Sequence, residues 1–169
     1  MKKNKDISAV GIIFSQDRKE VLLIKRRDVP VWVLPGGGVE SFETNGEAVV
    51  REIYEETGFK VTITKKVGKY FPINRLTKIS HLYECEIQSG NPTINEETKE
   101  IKFFSVDHLP YKLPPPYDEW IKEAHMNYPY IIKRKLSNIT YFSLFKKIIK
   151  HPILIIRFLL SRLGIYINT

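Results

Sequence analysis

From Gly37 to Phe59 the chain reads GGVESFETNGEAVVREIYEETGF, and this segment constrains the fold more than any other. It predicts a glycine-rich turn followed by a helix. Thr44 and Glu47 stand at the spacing of a reciprocal N-terminal cap, and Gly58 stands where a left-handed residue ends a helix. With Glu52 at zero and about 100° per residue, Glu55 lies near 300° and Glu56 near 40°. The three carboxylates therefore share an arc of roughly 100°. Val49, Ile53 and Val50 follow at about 60°, 100° and 160°, an apolar stripe for the core. The helix should grip the domain with one face and present an anionic face beside it.

No lysine interrupts that anionic face. Clustered carboxylates repel one another, so the pattern fits a bound hard divalent cation. Oxygen-only donors favour Mg²⁺ or Mn²⁺ over zinc. Arg51 sits about 100° from Glu52, within reach of one carboxylate.

The same residues resemble the Nudix box, G-x5-E-x7-R-E-U-x-E-E-x-G-U with U a bulky apolar residue. The match falls at Gly37, Glu43, Arg51, Glu52, Ile53, Glu55, Glu56, Gly58 and Phe59. Trp32-Val33-Leu34-Pro35-Gly36 resembles the family's entry to the box. Phe42 departs from it, because many members carry glycine there. The resemblance extends over roughly residues 7 to 125 and implies an α/β/α sandwich built on a mixed sheet. It further implies Mg²⁺-dependent hydrolysis of a pyrophosphate bond in a nucleoside diphosphate linked to another moiety. Glu52, Glu55 and Glu56 would be metal ligands, with the Gly36 carbonyl as a further contact, and Glu52 would handle the attacking water. Arg51 completes the implied catalytic set; with Glu43 it would brace the loop against the helix, while Gly37 and Gly58 shape the turns.

A further acidic ligand is expected from a loop outside the box. Glu97 and Glu100 are the candidates, with Glu96 behind them; a merely solvated loop is the alternative. Arg26, at a strand end, is a candidate for phosphate contact. Tyr70, Phe71 and Tyr117 are candidates for stacking on a base, against the plainer expectation that they are core. The four histidines match no metal-site spacing.

The rest of the chain predicts one ordinary domain. Ser8 to Phe14 and Glu20 to Lys25 should form a hairpin across Ser15–Arg18. Strands are expected at Trp32–Leu34, 60–73, 76–88 and 101–106, with a polar loop over 93–100 and a helix over 117–126, all around one sheet. Cys85 is the sole cysteine, so no internal disulfide forms; its strand setting predicts a buried, inert thiol. Met1-Lys2-Lys3 precedes an apolar run, but the following Asp17-Arg18-Lys19-Glu20 reads as a turn, not a cleavage site, and a cytoplasmic address is expected.

The net charge of +8 is unevenly placed. None of the 19 acidic residues lies beyond Glu123, whereas eight of the 27 Lys and Arg follow residue 130. This divides the chain into a catalytic domain over 1–130 and a basic tail over 131–169. Residues 141–167 place Lys146, Lys147, Lys150, Arg157 and Arg162 on one half of a helical wheel and most large aliphatics on the other; Leu154 and Phe158 violate the split, and Pro152 is a break. A transmembrane span is disfavoured, because every window of membrane length carries charges. Three partners for the tail stay open: an anionic membrane surface, a second copy in a homodimer, or its own domain. Specific nucleic-acid binding fits poorly with basic residues interleaved among large aliphatics. For the whole chain, the alternatives to hydrolysis are a non-catalytic nucleotide-binding module and a membrane-surface protein acting through its tail.

Overall fold

The computed structural model describes residues 3–143 together with Phe145, Ile153, Ile156 and Leu160. In chain order the elements are β1 (Lys3–Ile12), β2 (Glu20–Arg26), β3 (Trp32–Val33), β4 (Gly36–Glu40), α1 (Asn45–Thr57), β5 (Lys60–Phe71), β6 (Ile79–Ser89), β7 (Thr98–Ser105), α2 (Tyr117–His125) and β8 (Ile132–Lys135).

The strands form two sheets, not the one expected. A five-stranded sheet runs β4-β1-β6-β5-β8, and a three-stranded sheet runs β3-β2-β7. The first is mixed: β1 pairs with β6, and β5 with β8, in parallel, while its other pairs are antiparallel. The expected hairpin does begin, through a Phe14–Val21 bridge and a 2.9 Å bond from the Leu22 N–H to the Ile13 carbonyl. Its arms then part, β1 into one sheet and β2 into the other. Val21, Leu22, Leu23 and Ile24 are all fully buried, so β2 is covered on both faces, and continued pairing with β1 is not needed to shield it.

Apolar side chains on alternating positions supply two core layers. Under α1, Ala48, Val49 and Ile53 meet Ala9, Ile13, Leu22, Tyr83 and Cys85. The helix lies so close that a β-carbon on Gly11 would stand 2.4 Å from Ile53 Cδ1. On the other side, Trp120, Ile121 and Ala124 of α2 meet Val10, Ile12, Leu23, Tyr70 and Leu82. This is the helix–sheet–helix layering expected. Cys85 is buried, and burial pushes its thiol up to about 12, as an inert core cysteine requires.

Three boundaries are corrected. Gly36-Gly37-Gly38 is strand, not turn: these residues pair with Val10, Ala9 and Ser8 of β1. Thr98 to Glu100 belong to β7 and not to the preceding loop. The domain does not end at residue 130, because β8 extends the five-stranded sheet and Leu136 is buried in the α2-side core. Arg134, counted with the tail by charge, instead binds Glu119 (2.6 Å) and Glu123 (2.7 Å) beside α2. The amphipathic pattern over 141–167 lies mostly outside the described residues; Tyr141, Phe142, Ser143, Phe145, Ile153, Ile156 and Leu160 are helical. No helix among the described residues is long and apolar enough to cross a membrane.

Candidate active site

α1 is fixed at both ends by its own sequence. The Thr44 hydroxyl accepts from the Glu47 N–H at 3.2 Å, and the Glu47 carboxylate accepts from the Thr44 N–H at 2.7 Å. Gly58 ends the helix at φ +76° and donates its N–H to the Tyr54 carbonyl. Between these caps the helix lies against β4, and the contact surface is made by glycine and glutamate.

Arg51 organises three carboxylates. Its guanidinium grips Glu43 through Nε (3.0 Å) and Nη2 (2.7 Å), and its Nη1 donates to both Glu52 and Glu55 at 3.0 Å. A further bond reaches the Gly38 carbonyl. Glu43 in turn accepts from the Glu40 N–H at 2.8 Å. The sequence pointed to Arg51 as able to hold one carboxylate; the fork holds three, and ties the loop before α1 to the helix.

Glu52 and Glu56 are buried, 5% and 7% exposed, whereas the Glu55 side chain is about half exposed. Glu56 accepts from the Gly36 N–H at 2.7 Å. Burial pushes its carboxyl up to about 8; the charges of Glu52 and Glu97 act in the same direction, and the Gly36 N–H and Arg26 oppose them. Glu52 lies beneath Gly37, where a β-carbon would stand 2.4 Å from its carboxylate carbon. The result is a pair of desolvated carboxylates under two glycine peptides, with Glu55 at the rim.

Among the described residues, no group of three His, Cys, Asp or Glu is already gathered as a ligand set. Glu55 accounts for part of this, since it reaches back to Arg51. The buried Glu52–Glu56 pair nevertheless fits a hard divalent cation: its donors are all oxygen, and like charges this desolvated need a counter-ion to ionise together.

The remaining candidates separate. Glu97, in the loop before β7, adds its charge to those that raise Glu56. Glu100 is instead the cross-strand partner of Lys25, at 3.2 Å. Arg26 also acts on Glu56 and is held by Asp28 at 2.8 and 2.5 Å, with its side chain about half exposed. Tyr117 borders the same group, its hydroxyl held above its usual value by burial. Tyr70 is corrected: it is fully buried, its hydroxyl donates to Glu123, and no ring face is left for a base.

One residue escaped the sequence reading. The Asn95 side chain accepts from the Glu97 and Thr98 N–H groups and donates to the Glu55 carbonyl, while its own carbonyl accepts from Arg27 Nε at 2.7 Å. It pins the acid-bearing loop to the end of α1. Asparagine in a polar stretch is ordinary turn chemistry, so only the fold shows what it joins.

Residues 5–124 match the family model described as the NUDIX domain. The chain belongs to the Nudix family. A putative 8-oxo-dGTP diphosphatase of Bacillus subtilis is 37% identical over 105 residues, 62% of this chain and 70% of the relative. An ADP-ribose pyrophosphatase of Methanocaldococcus jannaschii is 38% identical over 121 residues, 68% of this chain and 70% of the relative. Among solved structures, an ADP-ribose pyrophosphatase from Streptococcus suis superposes with a TM-score of 0.64 at 26% identity, covering 78% of this chain and 99% of that one. This Nudix protein is thus an enzyme acting on phosphoric anhydrides, in a family that works with divalent cations.

Proposed function

We propose that this Nudix enzyme uses Mg²⁺, with Mn²⁺ as a substitute, to hydrolyse the pyrophosphate bond of a nucleoside diphosphate linked to a further moiety. The observation that carries the reading is the Glu52–Glu56 pair, buried side by side beneath Gly36 and Gly37. Both relatives above bear names of enzymes that cleave a phosphoric anhydride of a nucleoside compound.

Glu52, Glu56 and the Gly36 carbonyl would hold the cation, with Glu55 and Glu97 joining from the rim. When bound, it neutralises phosphate charge and makes water more acidic. The chain's own residues do the rest. Glu52 accepts the proton of the attacking water while Arg51 fixes its carboxylate. Arg26, braced by Asp28, offers a cation to the phosphates at the site's mouth. The water oxygen bonds to phosphorus, the anhydride P–O bond breaks, and two phosphorylated products leave.

A turnover screen of nucleoside triphosphates, dinucleotides and nucleotide sugars with Mg²⁺ tests this. Cleavage of at least one at an anhydride bond, abolished by chelation, is expected. Tight binding of one compound with no turnover of any would replace the hydrolase with a sensing module.

A further inference from the structure

One row of paired residues crosses the whole five-stranded sheet. Gly37 pairs with Ala9, Ala9 with His81, His81 with Lys69, and Lys69 with Lys133. Residues paired in register share a face of a sheet. That face is the α1 side, because Ala9 lies in the core beneath α1 and Asn45, the first residue of that helix, reaches His81. Lys66 stands on it as well: it pairs with Tyr83 of the same core, and its ammonium lies 5.4 Å from that ring. His81 therefore has Asn45 on one side and Lys66, Lys69 and Lys133 on the other.

His81 is only 6% exposed. Its Nδ1 stands 3.5 Å from Asn45 Nδ2, an amide that can only donate, so Nδ1 accepts and the neutral ring carries its proton on Nε2. Among the described residues nothing accepts from Nε2. Nor is that nitrogen sealed in: the enclosed polar atoms without partners belong to Thr98, Asp118 and Trp120. The three lysines around it are bonded to no carboxylate among the described residues; Glu119 and Glu123 are held by Arg134 on the opposite face. The Lys66 ammonium is kept below its ordinary value, first by burial and then by Lys69 and Lys133.

Three mutually repelling cations and one open N–H donor call for an acceptor with more than one negative charge. A carboxylate would neutralise a single ammonium. A phosphate group carries up to two charges and three strong acceptor oxygens. Paired β-carbons stand about 5 Å apart, and lysine stems are flexible, so the three ammonium groups can converge on one such group beside Nε2. The N-terminus of α1 on the same side adds to the attraction. A nucleic acid would also seek ring faces for its bases, but Lys66 already covers Tyr83, and Lys69 covers Phe71 at 5.1 Å.

We propose that His81, Lys66, Lys69 and Lys133, with Asn45 fixing the imidazole, form a second anion site that takes a terminal phosphate group, from a soluble phosphorylated compound or a lipid headgroup. It is separate from the substrate site. Asn45 opens α1 and Glu56 lies in its last turn, roughly 16 Å away along the helix axis.

Calorimetric titration of the metal-free full chain with inorganic pyrophosphate, at constant ionic strength, tests the idea. Binding is expected, and Arg26→Met should retain it, because that change falls in the substrate site. Lys60→Met/Lys112→Met, which removes two exposed charges elsewhere, should retain it too. Lys66→Met/Lys69→Met should weaken binding about tenfold or more, as lost charge-assisted hydrogen bonds do. His81→Asn, whose amide ends near the Nδ1 position, should weaken it as well, whereas His81→Gln reaches the Nε2 position and should keep it. A melting temperature near the parent's checks that each variant folds, and the lysine pair decides the matter should His81→Asn unfold. Vesicles separate the two sources: partition onto phosphatidic acid but not phosphatidylcholine, lost in Lys66→Met/Lys69→Met, assigns the phosphate to a lipid, and pyrophosphate binding without partition assigns it to a soluble compound. No binding of either kind, loss of binding in Arg26→Met, or parent-like binding by Lys66→Met/Lys69→Met would overturn the proposal. So would a single-stranded oligonucleotide that binds far more tightly than pyrophosphate, which would make this face a nucleic-acid surface.

Discussion

The Glu52 carboxylate fills the space that a side chain on Gly37 would need: a β-carbon there would stand 2.4 Å from its Cδ and Oε1. The clash is with the far end of a flexible side chain, so Gly37→Ala can be accommodated by moving Glu52. Turnover should fall about a hundredfold while the melting temperature hardly changes, since misplacement of roughly 1 Å is costly to catalysis. The neighbouring Gly36→Ala should behave oppositely. Its β-carbon would meet the Ala9 carbonyl at 2.4 Å and Val10 Cα at 2.7 Å, both main chain, and φ is +150°. A loss of about 3 kcal/mol or more in denaturant unfolding is expected. Normal turnover by Gly37→Ala would show that Glu52 need not sit where it does.

Arg51 is predicted to matter for stability as much as for rate. Arg51→Met removes the only fork joining Glu43, Glu52 and Glu55 among the described bonds. About 2–4 kcal/mol should be lost at neutral pH, because buried carboxylates are left without their partner. Arg51→Lys should recover little, since an ammonium cannot form the two-pronged contact with Glu43. Parent-like stability of Arg51→Met would contradict the clamp.

Glu56 gives a pH dependence whose sign can be stated. Its folded value, about 8, lies above the ordinary carboxyl value of 4.5. The folded state therefore keeps a proton that the unfolded state gives up, and this contribution to stability is lost as pH rises from about 4.5 through about 8. In metal-free protein the melting temperature should carry this downward contribution, and Mg²⁺ should offset it by stabilising the ionised form. Glu56→Gln should lose the dependence, melt at an equal or higher temperature without metal, and turn over slower by orders of magnitude. Substantial activity in Glu56→Gln would remove Glu56 from the metal-binding set.

His81 predicts the reverse slope. It is buried, and burial, aided by Lys66 and Lys69, lowers its value from 6.5 to about 4. Its contribution is complete above about 6.5 and is lost as pH falls through about 4. His81→Gln should flatten the acid limb of a melting-temperature profile between those values. An unchanged limb would assign acid sensitivity to other groups.

Tyr70→Phe separates core from substrate pocket. The hydroxyl donates to Glu123, which Arg134 also holds, so about 1 kcal/mol of stability should be lost with KM unaltered. A raised KM would return Tyr70 to the binding site.

The chain's local grammar was enough to place α1 with its caps, its apolar stripe and the arc of glutamates, because one turn of helix sets those neighbours at short range. It also pointed to Glu97 as a candidate, since an acid just before a strand is visible as order along the chain. Sequence could not reveal that Gly36–Gly38 are strand, because glycine carries no side chain whose alternation would mark one. Nor could it show that Glu100 pairs with Lys25 or that Tyr70 is core: which side of a strand a residue faces depends on register with distant partners, Glu100 with Lys25 and Tyr70 with Ser80. Tertiary structure alone decided that β1 and β2 part into two sheets, that β8 belongs to the domain, and that Glu52 and Glu56 are buried together while Glu55 is not. Those outcomes rest on how faces are covered, and burial is a property of the assembled fold that no short stretch of residues can fix by itself.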